Sequence, residues 1–173
     1  PEDWTLPQDF TVGDNTRVEI NGDKILYGER EGEYLDGFTV ATYADGALST
    51  IYEFKSGLVT SWQQFFSPDG SKLVVAWIPS ADSTDWNVTL VDLATREESK
   101  LELPEMSIQT AGQEGEKDAA KAPELVMVKW KDDNNLLVTG SLKNFDDSTK
   151  PVSYLYTLPA GNITALRLDP CSA

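Results

Sequence analysis

The sequence predicts an all-β fold of about three four-stranded antiparallel units. Three observations predict it. Apolar runs are short, rich in Val, Leu, Ile and aromatic residues, and alternate with polar ones as strands do. Clusters of Asp, Asn and Gly punctuate them, which is turn chemistry. The same grammar of runs and turns recurs three times along the 173 residues.

In the first unit, residues 17–56, a strand at Arg17-Val-Glu-Ile leads through Asn21-Gly-Asp into Lys24-Ile-Leu-Tyr-Gly. Phe38-Thr-Val-Ala-Thr-Tyr follows, and the turn Ala44-Asp-Gly leads to Leu48-Ser-Thr-Ile-Tyr. The second unit, residues 59–103, opens with Thr60-Ser-Trp-Gln-Gln-Phe-Phe and turns at Ser67-Pro-Asp-Gly. It continues through Lys72-Leu-Val-Val-Ala, Asn87-Val-Thr-Leu-Val-Asp-Leu, the turn Ala94-Thr-Arg-Glu, and Ser99-Lys-Leu-Glu-Leu. In its third strand, Val88, Leu90 and Val91 are expected to face a core, and Thr89 and Asp92 to face outward. The third unit, residues 124–168, runs from Leu125-Val-Met-Val-Lys-Trp through Asp132-Asp-Asn-Asn to Leu136-Leu-Val-Thr-Gly. Val152-Ser-Tyr-Leu-Tyr-Thr-Leu, the turn Pro159-Ala-Gly and Ile163-Thr-Ala-Leu-Arg-Leu complete it. Gly and Asn are expected to supply the positive φ of the tight turns.

From Lys24 to Lys72 the step is 48 residues, and from Lys72 to Asn135 it is 63. The excess lies in the polar stretch 104–123, read as a mobile surface loop with Asp118-Ala-Ala-Lys as one helical turn. Without it the spacing fits repeats of roughly 40–50 residues, four strands each, as in the blades of a β-propeller. The whole of 1–173 is read as one small or partial propeller-like domain. The alternative is β-sandwich-like packing of the same strands.

Phe65-Phe-Ser-Pro-Asp-Gly-Ser-Lys-Leu-Val-Val-Ala, followed by Val88-Thr-Leu-Val-Asp-Leu-Ala-Thr, resembles a repeat of the TolB-like propellers, which also occurs in prolyl-oligopeptidase-type peptidases. Pro68 fixes φ, Asp69 can cap the turn, and Gly70 redirects the chain. The third unit replaces Pro-Asp-Gly with Asp-Asp-Asn-Asn, and the first keeps only Asn21-Gly-Asp. The resemblance is therefore specific over one unit. It implies an extracytoplasmic, bacterial propeller that serves as a scaffold for partners, and no particular chemistry. Propellers close with four or more blades, so three leave open edges through which the chain could form a homo-oligomer.

Composition narrows function. Lys and Arg number 14 against 29 Asp and Glu, a net charge of −15, which repels nucleic acid and anionic membrane. There is no His, hence no imidazole base, no Ser–His pair and no His metal ligand. The single Cys171 cannot form an internal disulfide, and sparing use of Cys suits an oxidising compartment. No apolar run is long enough to span a membrane as a helix. The opening Pro1-Glu-Asp-Trp reads as a processed start.

Asp132-Asp133, Asp146-Asp147, and Asp82 with Asp85 are weighed as Ca²⁺ ligands, but Asp and Asn populate turns for backbone reasons and the EF-hand spacing is absent. A glycosidase carboxylate pair is a weaker alternative, and there is no nucleophile elbow or phosphate loop. Asn87-Val-Thr and Asn162-Ile-Thr fit the glycosylation triplet, which carries no meaning in a bacterial protein. Trp62, Trp77, Trp86 and Trp130 are expected mainly to fill space between units. The sharpest binding expectation is a face formed by Tyr34, Trp86 and Phe145, which occupy corresponding loops of the three units. No catalytic residue, metal or cofactor is assigned. The expected function is a non-catalytic extracytoplasmic binding or sensor module for a protein or envelope ligand, such as part of a lipoprotein. The alternatives are the scaffold of a larger hydrolase and a structural domain assembling through β-edges.

Overall fold

The computed structural model describes residues 16–31, 34–59, 61–78, 86–102, 106–107, 120–121, 124–143, 149–159 and 161–166. The described residues are all-β, with three four-stranded antiparallel sheets. The first contains β1 (Thr16–Asn21), β2 (Lys24–Glu31), β3 (Tyr34–Ala44) and β4 (Ala47–Val59). The second contains β5 (Ser61–Phe66), β6 (Lys72–Ile78), β7 (Asn87–Asp92) and β8 (Glu98–Lys100). Next along the chain is a small ribbon of β9 (Met106–Ser107) and β10 (Ala120–Lys121). The third contains β11 (Glu124–Asp132), β12 (Asn135–Lys143), β13 (Thr149–Thr157) and β14 (Asn162–Leu166). Within each four-stranded sheet the spatial order follows the chain order, because short turns can join only adjacent antiparallel strands.

The sheets are joined face to face. Leu26, Phe38, Val40, Tyr52 and Phe54, on the forward face of the first sheet, share a core with Phe66, Leu73, Val75, Val91 and Leu93, on the back face of the second. Phe54 stacks on Phe38 and meets Trp77 edge to face. The forward face of the second sheet (Val74, Ala76, Val88 and Leu101) packs on Val128, Trp130, Leu136 and Val138, the back face of the third. The second sheet thus buries both faces, and β6 is a continuous run of buried Leu73, Val74, Val75 and Ala76. This corrects the one-sided reading of β7: Thr89 is buried, because the face it occupies is covered by the first sheet. A sandwich would give its two sheets one shared core, whereas here the middle sheet has one on each side.

Two local expectations are also corrected. In the hairpin between β7 and β8 the positive φ belongs to Arg96, at 64°, with Asp92 accepting the Ala94 and Thr95 amides in place of a glycine turn. Ala120 and Lys121 pair with Ser107 and Met106 as a ribbon, not as part of a helical turn. Asp118, and the expected mobility of most of 104–123, lie outside the described residues. Gly37 has a packing reason to be glycine: a Cβ there would overlap the Phe54 carbonyl on the neighbouring strand.

Candidate functional site

The corresponding turns of the three sheets lie side by side and are hydrogen-bonded in series. Asn21 Nδ2 of the first unit donates to the Ser67 carbonyl of the second, at 3.1 Å. The Asp69 amide of the second donates to Asp133 Oδ1 of the third, at 2.9 Å. The middle turn is built for this. Ser67 Oγ donates to Asp69 Oδ1 at 2.6 Å, which also accepts the Ser71 amide at 2.9 Å. Gly70 has φ +68° and a Cβ position 3.4 Å from Asn21 Oδ1, so any side chain there would press on the first unit. The Ser67 hydroxyl, followed by the Ser71 amide, holds the Asp69 carboxyl well below its ordinary value, at about 2.

Beside these turns, between the second and third sheets, is a cleft of about 290 Å³. Lys72, Asp92, Glu97, Ser99 and Lys100 line it from the second sheet, with Leu90 and Leu101 as apolar surface. Tyr156, Leu158, Pro159 and Gly161 line it from the third. Lys72 opens β6 opposite Asp92 of β7. Its Nζ is 3.2 Å from Ser71 Oγ and 3.4 Å from the Asp133 carbonyl, so it tethers the two turns while facing the cleft. Asp92 is held ionised, below its usual range, first by the Thr95 amide. Lys100 pairs with Glu102 at 3.4 Å in an exposed contact worth little on its own. The cleft therefore offers ammonium groups, carboxylates and hydroxyls around a partly apolar wall.

Along the inner strands the second and third sheets are stitched by polar bonds. The Val128 amide of β11 donates to Gln63 Oε1 of β5 at 3.0 Å, and Trp130 Nε1 donates to the Phe65 carbonyl at 3.0 Å. Tyr52 Oη of β4 donates to Glu98 Oε1 of β8 at 2.8 Å, tying the first sheet to the second. Burial, then Glu98, pushes the Tyr52 phenol above its ordinary range. Burial also raises that of Tyr154, whose hydroxyl has no partner among the described residues.

The residues singled out from sequence fall in several places. Asp132 carries a lowered pKa because the Asn135 side chain and then the Asn134 amide donate to it, and Asp133 accepts the Asp69 amide. These oxygens serve the turns, and among the described residues no group of three Asp, Glu, His or Cys is gathered as for a metal. Asp82, Asp85, Asp146 and Asp147 lie outside the described residues, as does Cys171. Of the aromatic face, Trp86 is half-buried and packs against the core between the second and third sheets. Tyr34 begins β3, but its side chain, like that of Trp62, lies outside the described residues, as does Phe145. Trp77 and Trp130 are in the joints between sheets. The cleft residues were missed. They come from two separate stretches, residues 72–101 and 156–161, and only Lys72, aligned with Lys24 after a turn, left a mark in the sequence.

No protein-family model matches the chain, and no curated protein does. Among solved structures it is similar to the AtxE2 isopeptidase in its apo form, at 13% identity and a TM-score of 0.48. The match covers 89% of this chain and 29% of the isopeptidase, so the chain spans under a third of that protein's length.

Proposed function

We propose that the chain is a non-catalytic binding module of blade-like sheets, related to the TolB-like propellers, that works outside the cytoplasm and recognises a protein or an envelope ligand. The cleft between the second and third sheets carries the reading. It brings Lys72, Lys100, Asp92, Glu97 and the Tyr156 hydroxyl around an apolar wall of Leu90, Leu101 and Leu158. Concave sites of mixed polar and apolar lining are where proteins hold ligands. Its carboxylate at Asp92 is committed to turn amides, and the chain has no imidazole to act as base. Recognition is the use such groups serve. The Ser-Pro-Asp-Gly turn, observed as a hydrogen-bonded loop between β5 and β6, supports the blade relationship.

The test is capture of an envelope extract on the immobilised chain, compared with Lys100→Glu and Tyr156→Ala. A specific bound species that is lost in both variants, with unchanged circular dichroism, supports the cleft. Capture that is identical in wild type and variants rejects it. Fractionation of the full-length protein from cells tests the compartment: recovery with cytoplasmic markers rejects the extracytoplasmic placement.

A further inference from the structure

We propose that Asn21 is a site of spontaneous deamidation, guarded by its bond to Ser67, and that its conversion unties the turn of the first unit from that of the second. Asn21-Gly22 is the only Asn-Gly pair in the chain. Asn21 ends β1 and pairs with Lys24, so Gly22 and Asp23 make a two-residue turn. Gly22 has φ +60° and is exposed, and nothing lies within 4 Å of the position its Cβ would take. No side chain therefore crowds its nitrogen. That nitrogen also lies outside the ladder between β1 and β2, and its N–H donates no hydrogen bond among the described residues. The nucleophile is unshielded and uncommitted.

The reacting groups belong to neighbouring residues, so the attack is intramolecular and closes a cyclic imide. With its proton taken by hydroxide or a buffer base, the Gly22 nitrogen attacks Asn21 Cγ. A bond forms between them, the Cγ–Nδ2 bond breaks, and Nδ2 leaves as ammonia after taking a proton from solvent. Water then adds to either carbonyl of the imide and breaks its bond to nitrogen, giving aspartate or isoaspartate. No oxidant or reductant enters the balance. The other pairs of this kind, Asp36-Gly37, Asp45-Gly46 and Asp69-Gly70, begin with a carboxyl, which in its ionised form resists such attack. Asp69 is committed further, to Ser67 Oγ and the Ser71 amide.

Folding guards the leaving group. Asn21 Nδ2 donates to the Ser67 carbonyl at 3.1 Å, and the same carbonyl accepts the Gly70 amide at 2.8 Å. Ser67 and Gly70 are buried, and the Cβ position of Gly70 is 3.4 Å from Asn21 Oδ1, so the Asn21 side chain is packed as well as bonded. It reorients for attack only when this contact opens. After conversion the bond cannot re-form: an acceptor has replaced the donor, and a carboxylate oxygen stands against the Ser67 carbonyl oxygen. The change adds a negative charge to a chain already at −15, and isoaspartate also lengthens the backbone at the closing pair of the hairpin. The link from Asp69 to Asp133 is untouched, so the release is confined to the first and second turns.

The test ages the folded chain near neutral pH and maps this position by peptide mass spectrometry, with fragmentation that separates aspartate from isoaspartate. Both acids are expected. They form faster as pH rises, because the Gly22 nitrogen must lose its proton, and about tenfold or more faster in urea, where the Ser67 bond is gone. Asn21→Asp supplies one product in uniform form. In it and in the aged chain, exchange of the Gly70 amide is expected to speed up about tenfold, while that of Val128, in the other joint, stays the same. An Asn21 that stays intact in the folded chain over many of the half-times measured in urea overturns the site. Equal rates in the folded chain and in urea overturn the guard, and unchanged Gly70 exchange in both the aged chain and Asn21→Asp overturns the release.

Discussion

The seam between β5 and β11 is a sharp place to test the stacking of the sheets. Replace Gln63 by Met, which keeps an unbranched side chain of similar length and removes the acceptor. Val128, whose amide donates to Gln63 Oε1 at 3.0 Å, is almost wholly buried, so water does not readily replace the lost partner. A stranded buried amide costs about 1–3 kcal/mol. Two residues along the same strands, Trp130→Phe removes the indole donor to the Phe65 carbonyl, costing about 1 kcal/mol for the bond and about 1–2 kcal/mol more for the lost ring atoms. Because both bonds close one seam, the double variant should depart from additivity by about 0.5 kcal/mol or more. Urea unfolding gives the stabilities, and amide exchange at Val128 should speed up by about tenfold for each 1.4 kcal/mol lost locally. If Gln63→Met leaves both urea midpoint and Val128 exchange unchanged, the sheets are not held together along this seam and the reasoning fails.

Other outcomes follow from the same structure. Leu73→Ala empties a fully buried site in the joint between the first and second sheets and should cost about 3–5 kcal/mol by chemical unfolding. Tyr52→Phe removes the bond to Glu98 and should destabilise by about 1–2 kcal/mol, while Tyr154→Phe, which deletes a buried hydroxyl without a partner among the described residues, should be neutral or stabilising. Since the folded Tyr52 pKa is raised, its contribution is present below about pH 10 and declines as pH rises above that. Absorbance titration should show its ionisation delayed until the chain unfolds. Asp69 has the opposite sign: its folded pKa is depressed to about 2, so its contribution is present above about pH 4 and is lost as pH falls between the two values. Asp69→Asn should flatten the acid limb of the stability profile in that window, and an unchanged limb would show the turn to be unimportant.

The strands were legible because their chemistry is local. The turn at Ser67-Pro-Asp-Gly and the apolar runs on either side announce β5, β6 and β7 to within a residue or two. Thr89 was misjudged because alternation reports which residues share a face, not how many faces a neighbour covers. Arg96 in a positive-φ position was unforeseen because the Asp92 side chain, four residues earlier, supplies the turn's hydrogen bonds. The cleft was invisible for a stronger reason. Lys72, Lys100 and Tyr156 become neighbours only when the second and third sheets stack, and no spacing in the chain encodes that meeting.

The middle sheet's two buried faces have a consequence for how the molecule comes apart. The second sheet borders both of the cores that the sheets share, so opening it exposes both, at a free-energy cost that approaches that of opening all three sheets. Amides of β6 should therefore exchange among the last, through global unfolding. A defect in β6 has no partial form: it would convert a molecule that frays by thirds into one that is either whole or lost.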